Sequence, residues 1–421
     1  MPQRSLFSYE NALVLILGMT FGVVFFDRQA AANLMPLIKP DLGLDNTQVG
    51  MVGSALAITW AISAYLVGWI SDRTGRRKLV LIACVVGFSV CSLVSGLARS
   101  FEALALSRLL MGLLEGGVMP ICLTIMTLES SDRRRAFNAG IVQNGFANLI
   151  GNTLGPIVLV AVAAALNWRQ AFYLSAVPGL FCALAIWLWV KEPARDAFHV
   201  DGTAPAPMSL LQMLRVRNVL VCTLVSIFMV GWMITATVFL PTFLVEHRGL
   251  SLPATAGVMS AVGVAALVGG LTLPALSDHL GRKPVMLIGC FGALVAPLAA
   301  LFFHGPVWAL TAFQVVGFMS AGIYPLFMAT IPGESLPRAQ IATAMGLVVG
   351  VGELCGGVFG PIIGGQLADR TALGIQAPLV LAAAFVLIAG CLALLLKETA
   401  PARVAAAQAR RATVPAESPA A

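Results

Sequence analysis

The chain has 421 residues, 59% of them hydrophobic and only 11% charged, with net charge +7 and mean hydropathy +0.91. A soluble globular chain carries roughly 25% charged residues, so this composition excludes a soluble enzyme or binding module. Apolar runs of about twenty residues indicate membrane helices, which satisfy their own backbone in lipid; a membrane barrel would show alternating segments of about ten residues.

In chain order, the first span (11–38) follows MPQRSLFSYEN. No short apolar core with a small-residue cleavage site precedes it, so it is expected to be a retained helix. Its apolar run is broken by Asp27 and Arg28 in VVFFDRQAAANLM. An ionised side chain at a helix centre costs about 2.5–3.5 kcal/mol to insert. Such residues face a bundle interior or a wet cavity, which makes them site candidates.

Spans two (48–70) and three (79–98) flank GWISDRTGRRK. Gly68 and Gly75 permit close packing and a tight turn. Asp72 can cap a helix start or pair with arginines, with Arg73 beside it, while Arg76, Arg77 and Lys78 suit an anionic membrane face. Topology alone would also explain these charges. Span four (103–127) contains SRLLMGLLEGGVMP, in which Arg108 and Glu115 are seven apart and share a helix face. They stand about 10 Å apart along the axis, and Gly112 between them is expected to keep that face open. Glu115 falls near the bilayer midplane, where carriers bind substrate. Burial disfavours the charged form of a carboxyl, the property a proton-loading site needs. Asp27 and Arg108 come out at similar depth and can pair; a static ion-pair knot between spans one and four is the alternative.

Span five (137–164) carries QNGFANLIGN, with Asn144, Asn148 and Asn152 on one stripe and Gln143 beside it. The stripe can bind hydroxyls of a polar substrate or join helices. Tyr65, Trp232, Gln314 and Tyr324 are weaker cavity candidates, since membrane aromatics also pack or anchor. Span six (169–190) precedes a Pro- and Gly-bearing linker at 191–216. Spans follow at 217–246, 254–277, 284–303, 307–331, 340–367 and 376–396, then an Ala/Pro-rich tail (397–421) expected to be disordered. Glu353, in GVGELCGG, reads equally as a second proton site, a substrate-selective group or a neutral hydrogen-bonding acid.

Of the 26 Lys and Arg residues, nineteen lie in alternate loops and tails and five in the opposite loops; Arg28 and Arg108 are inside spans. The positive-inside rule then places both termini in the cytoplasm. The basic balance reflects topology, and no nucleic-acid partner is expected. The eight cysteines sit in apolar spans without CxxC or Cys/His metal spacing, so they read as packing residues and neither metal nor organic cofactor is expected.

The two halves repeat. Asp72, Gly75 and Arg76 recur 206 positions later as Asp278, Gly281 and Arg282, Lys191-Glu192 as Lys397-Glu398, and Gly140 as Gly346. The expected architecture is an all-α membrane protein of twelve transmembrane helices in two pseudo-symmetric six-helix bundles, 1–190 and 217–396.

GWISDRTGRRK, placed between spans two and three and echoed between eight and nine, resembles the signature of the major facilitator superfamily, and the resemblance extends over nearly the whole chain. It implies that Gly68, Asp72, Arg73, Gly75, Arg76 and Arg77, with Asp278, Gly281 and Arg282, form a gating latch. The Asp-Arg pair of span one and R-x-x-x-G-x-x-E of span four resemble the anion:cation symporters. That similarity implies Arg28 gripping a substrate carboxylate, Asp27 and Arg108 exchanging a salt bridge, and Glu115 coupling a proton. Spinster-type lysolipid carriers share similar elements. GNTLGPIVLV has the Gly-Pro of the drug-antiporter fifth helix but lacks the following Gly-Gly.

The expectation is a secondary transporter of the cell (inner) membrane, a proton-coupled symporter of a small organic anion, functional as a monomer. Its substrate site is expected to include Arg28, Tyr65, Gln143, Asn144 and Asn148, its coupling site Asp27, Arg108, Glu115 and Glu353, and its partners the anion, protons and the bilayer. The alternatives are a lysolipid carrier, a drug/proton antiporter or a ligand sensor without flux. No nucleophile–base or metal constellation suggests an enzyme.

Overall fold

The computed structural model describes residues 8–131, 134–192, 208–337, 340–401 and 403. The side chain of Asp72, most of the expected linker (193–207) and the tail from 404 lie outside the described residues. Among those described, twelve helices are long and apolar enough to cross a membrane. They are α1 Tyr9–Leu42, α2 Asn46–Ser71, α3 Arg77–Gly96, α4 Phe101–Glu129, α5 Phe137–Ala165 and α6 Trp168–Trp189, then α7 Arg217–Glu246, α8 Leu252–Leu280, α9 Arg282–Phe302, α10 Val307–Glu334, α11 Thr343–Arg370 and α12 Gly374–Ala393. Within the region read as linker, Leu210–Leu214 forms a short helix started by a Ser209/Gln212 capping box.

Local chemistry sets the helix ends. Asp45 and Gln48 make a capping box at the start of α2, whose helix runs on past the span to Thr74, and Gly75 ends it with φ at +63°, which a residue without Cβ adopts freely. Two apolar cores then segregate the helices: one draws on residues between 13 and 190, the other on residues between 221 and 396. A third cluster joins Leu34 and Val49 to Val238 and Phe239 across the halves.

Each half is fastened by the same clasp. Glu192, just after α6, accepts the Lys78 backbone N–H at 3.1 Å. Glu398, after α12, accepts those of Arg282 and Lys283 at 2.8 and 3.2 Å. Both carboxylates thus satisfy helix N-termini that lack a side-chain cap of their own. Arg282 also reaches Asp278 at 2.5 Å and Glu334 at 2.9 Å, all within its own half.

The halves are tied at one end and parted at the other. At the end where α1 finishes, Lys39 Nζ donates to both Glu246 oxygens and to the Asn46 side-chain oxygen, each at 2.9 Å. Asp369, at the end of α11, accepts from the backbone N–H of Asn46 and Thr47 at 3.1 and 2.7 Å, and from their side chains at 2.8 and 2.6 Å. Deeper, Ser54 donates to the Val358 carbonyl at 2.6 Å. Gly50 permits this approach of α2 to α11, because a Cβ there would strike the Pro361 carbonyl.

At the opposite end Tyr65 is 76% exposed, and a Cβ on Gly68 of α2 or Gly346 of α11 would meet no atom within 4 Å. This corrects the expectation that Gly68 serves close packing. Its helix packs on α11 from the tied end to the middle of the bundle, and the two diverge beyond.

The helical spans are not uniform α-helix. Ile141–Leu154 of α5 and Gly352–Val358 of α11 are π-helical. With the 206-residue displacement, residues 146–152 fall on 352–358, so the wide turns occupy equivalent places in the two halves. Turns of this kind are frequent at functional sites.

Removing the Asp369 carboxylate should loosen the tied end. With about 2 kcal/mol assigned to its charge-assisted bonds, Asp369→Ala is expected to shift the equilibrium roughly thirtyfold toward separation there. Spin labels on the ends of α1 and α7 would report a longer distance population; an unchanged distribution would show that these bonds do not hold the halves.

Candidate functional site

Three successive residues of α1 address three different neighbours, as 100° steps on a helix require. Asp27 turns into its own half. It is fully buried and accepts hydrogen bonds from Ser92 of α3 and Ser175 of α6, the latter at 2.9 Å. Arg28 turns toward α2 and the opposite half. Its guanidinium lies 4.6 Å from the Trp60 ring centre, and its nearest acid is Glu353 of α11, at 4.0 Å. Gln29 turns toward α5 and donates to Asn152 at 2.9 Å.

Arg108 is buried beside Asp27, at the depth expected. The pairing differs from expectation: no Asp27–Arg108 ion pair forms among the described residues. Arg108 donates instead to the Asp27 backbone carbonyl at 3.3 Å and to Ser95 at 2.7 Å, and it lies 4.9 Å from the Phe172 ring centre. The serines of α3 and α6 share one Asp27 oxygen, the other has no hydrogen-bond partner among the described residues, and the guanidinium bonds the Asp27 main chain instead.

Glu115 is fully buried where α4 is interrupted between Phe101–Glu115 and Val118–Glu129. It feels the charges of Asp27, Arg28 and Arg108. Neither of its carboxylate oxygens has a hydrogen-bond partner among the described residues. Gly112 does not keep the face between Arg108 and Glu115 open, contrary to the sequence reading. The Leu56 carbonyl and Thr59 hydroxyl of α2 fill the space a Cβ would take, and Thr59 bonds the Leu109 carbonyl at 2.7 Å. The glycine serves close packing of α2 on α4.

The α5 stripe is a connected chain. Asn152 donates to the Asn148 side chain at 2.9 Å, and Asn148 to the Asn144 carbonyl at 3.0 Å. Through Gln29 the stripe joins α5 to α1, and Asn144 is exposed toward the parted end. Gln143 turns aside to the Met119 sulfur, 3.7 Å away. Between the halves lies a cavity lined by Gln29, Asn33 and Asn152 on one side and Thr237, Met259 and Phe318 on the other. Trp232 and Gln314 are buried in the second half's core, and Tyr324 donates to the Met229 carbonyl at 2.7 Å, so all three serve packing.

The structure therefore brings Asp27, Arg28, Arg108 and Glu115 together, adds Glu353 from the other half, and leaves Tyr65 at the parted end. Sequence reasoning missed Gln29 and Trp60. Gln29 was visible as the third polar residue of FFDRQ; Trp60 carried no sequence signal, since only the fold sets it against Arg28.

Twelve helices in two bundles around a polar interdomain site define a membrane carrier. The Major Facilitator Superfamily model matches residues 17–354, and the chain belongs to that family. It is 27% identical over 382 residues to a probable sulfoacetate transporter of Cupriavidus necator, covering 85% of this chain and 86% of that one. It is 29% identical over 380 residues to the 3-(3-hydroxy-phenyl)propionate transporter of Escherichia coli, covering 87% and 90%. A crystal structure of a bacterial homologue of the human lysosomal transporter Spinster, inward-facing and unoccupied, superposes with TM-score 0.75 at 19% identity over 92% of this chain and 97% of that one. The protein is a transporter related to organic-anion transporters, not an enzyme.

Ser175→Ala removes one of two donors to a buried carboxylate. It is expected to destabilise the first half by about 1–3 kcal/mol, read as a lower unfolding temperature of the purified protein; an unchanged midpoint would mean that Asp27 does not depend on that bond.

Proposed function

We propose that the protein is a proton-coupled symporter of a small organic anion that works by alternating access. The observation that carries this reading is Arg28: an intramembrane guanidinium, 19% exposed, held against Trp60 at the interface between the halves, with its one close acid at 4.0 Å. A guanidinium cannot lose its charge in a protein and presents a planar fork that matches a carboxylate. Its aromatic support fixes the fork without using its donors. The named substrates of the curated relatives, a sulfonated and an aromatic carboxylate, agree with an anion at this place.

Coupling is assigned to Glu115, with Asp27 and Arg108 as the network around it. A buried carboxyl with no donor around it is suited to hold a proton until its surroundings rearrange. Tight contact at the tied end and separation at the other match one state of a carrier whose halves rock about the midplane. With the termini in the cytoplasm, as the loop charges imply, the parted end faces inward in a cell inner membrane. Function as a monomer belongs to the same proposal.

The tests use purified protein and proteoliposomes. A thermal-shift panel of carboxylates, sugar acids and lysolipids identifies the ligand class; stabilisation by lysolipids alone would replace this reading. Arg28→Ala is expected to abolish anion binding, and unchanged affinity would move the anion site elsewhere. Glu115→Gln is expected to retain substrate exchange while losing accumulation driven by a proton gradient. If that variant still concentrated substrate, Glu115 would not be the coupling group.

A further inference from the structure

Glu353 sits where the two halves meet, yet it holds Arg28 loosely. The closest nitrogen–oxygen distance is 4.0 Å, and the oxygen concerned, Oε2, has no hydrogen-bond partner among the described residues. A bidentate arginine–carboxylate pair would bring two N–H groups to hydrogen-bond distance; this pair makes neither bond. The glutamate side chain is 21% exposed, so it borders accessible space. It rises from the π-helical segment Gly352–Val358. It lies over Gly357, whose Cβ, if present, would stand 3.1 Å from Glu353 Oε2. The backbone is therefore shaped to let the carboxylate lie back along its own helix.

The neighbouring acids cannot take this place. Asp27 faces Ser92 and Ser175 inside its own half, and Glu115 is fully buried. The polar groups lining the cavity between the halves are neutral amides and a hydroxyl: Gln29, Asn33, Asn152 and Thr237. Among the described residues, then, one acid from the second half meets the one intramembrane arginine that the first half leaves partly open.

We infer that Glu353 is a tethered stand-in for the substrate carboxylate and sets the charge of the ligand that the site accepts. This rests on Arg28 being the anion site. In the empty carrier Glu353 neutralises Arg28 across the interface. An incoming carboxylate takes its place on the guanidinium, and the glutamate remains beside it, tethered to α11. A ligand with one negative charge meets one cation and one displaced anion. A ligand with a second negative charge at its far end also meets repulsion from Glu353, as like charges at close range require. The site is thus selective for monoanions over dianions of the same shape.

A matched pair of probes tests this: 3-(3-hydroxyphenyl)propionate, with one charge, and 3-(3-carboxyphenyl)propionate, with two. Titration calorimetry of the intact purified protein is expected to give tighter binding of the first. In Glu353→Gln both should bind more tightly, the singly charged probe by about fivefold, the scale of one solvent-accessible charge pair, and the doubly charged probe by more, so that the preference narrows. An unchanged preference, or no gain for either probe, would overturn the inference. Arg28→Ala separates this from the underlying reading. Loss of all binding in Arg28→Ala together with an unchanged preference in Glu353→Gln refutes the stand-in alone; retained binding in Arg28→Ala refutes the anion site itself. Unfolding midpoints of Arg28→Gln, Glu353→Gln and the double variant without ligand give a reading independent of the probes. Non-additive shifts are expected from a paired couple, and strict additivity would count against it.

Discussion

A guanidinium that cannot shed its charge must be stabilised wherever the fold puts it, and this protein puts two of them inside a hydrophobic bundle. The two are handled in opposite ways. Arg108 is enclosed by the Ser95 hydroxyl, the Asp27 main-chain carbonyl and the Phe172 ring, all from its own half. Arg28 has an aromatic face from α2 and a single distant acid from the other half. The first is buried out of a passenger's reach, although its Nε has no hydrogen-bond partner among the described residues. The second leaves the fork largely uncommitted.

The interface is built on the same contrast between firm and loose contact. At the tied end, Asp369 collects four donors from the start of α2, and backbone meets backbone at Gly50. Around Arg28 the contact across the interface is long, a carboxylate at 4.0 Å. At the parted end the helices diverge. Moving along α2 from Asn46 to Gly68 therefore passes from hydrogen-bonded contact to open space within one helix, as expected of two stiff bodies hinged near one end. The α5 and α11 π-helical segments lie in the middle of this gradient, where helices that must bend while staying packed have most use for a wide turn.

Much of this was readable from the sequence because it depends on composition and local spacing. The twelve spans, the 206-residue repeat, the Asp-Arg pair in α1 and the Arg-Glu spacing in α4 are all properties of single segments. The contacts of those residues were not readable. Asp27 and Arg108 share a depth, but only the fold shows that Ser92 and Ser175 bond the carboxylate while Arg108 bonds the main-chain carbonyl and Ser95. Gly112 marks a close approach, and only the fold says that α2 fills it. Glu353 and Arg28 are separated by over three hundred residues, and nothing local to either reveals the other. The π-helical turns left no trace either, since the asparagines at i, i+4 and i+8 form a stripe in either kind of helix.

The carboxylate clasps have a consequence for how the two bodies are joined. Glu192 docks on the start of α3 before the chain leaves the first half, and Glu398 docks on the start of α9 after the last helix of the second. Each bundle is thus buttoned shut by its own residues. The two clasps work independently of each other, so losing one glutamate should loosen its own half and leave the other closed.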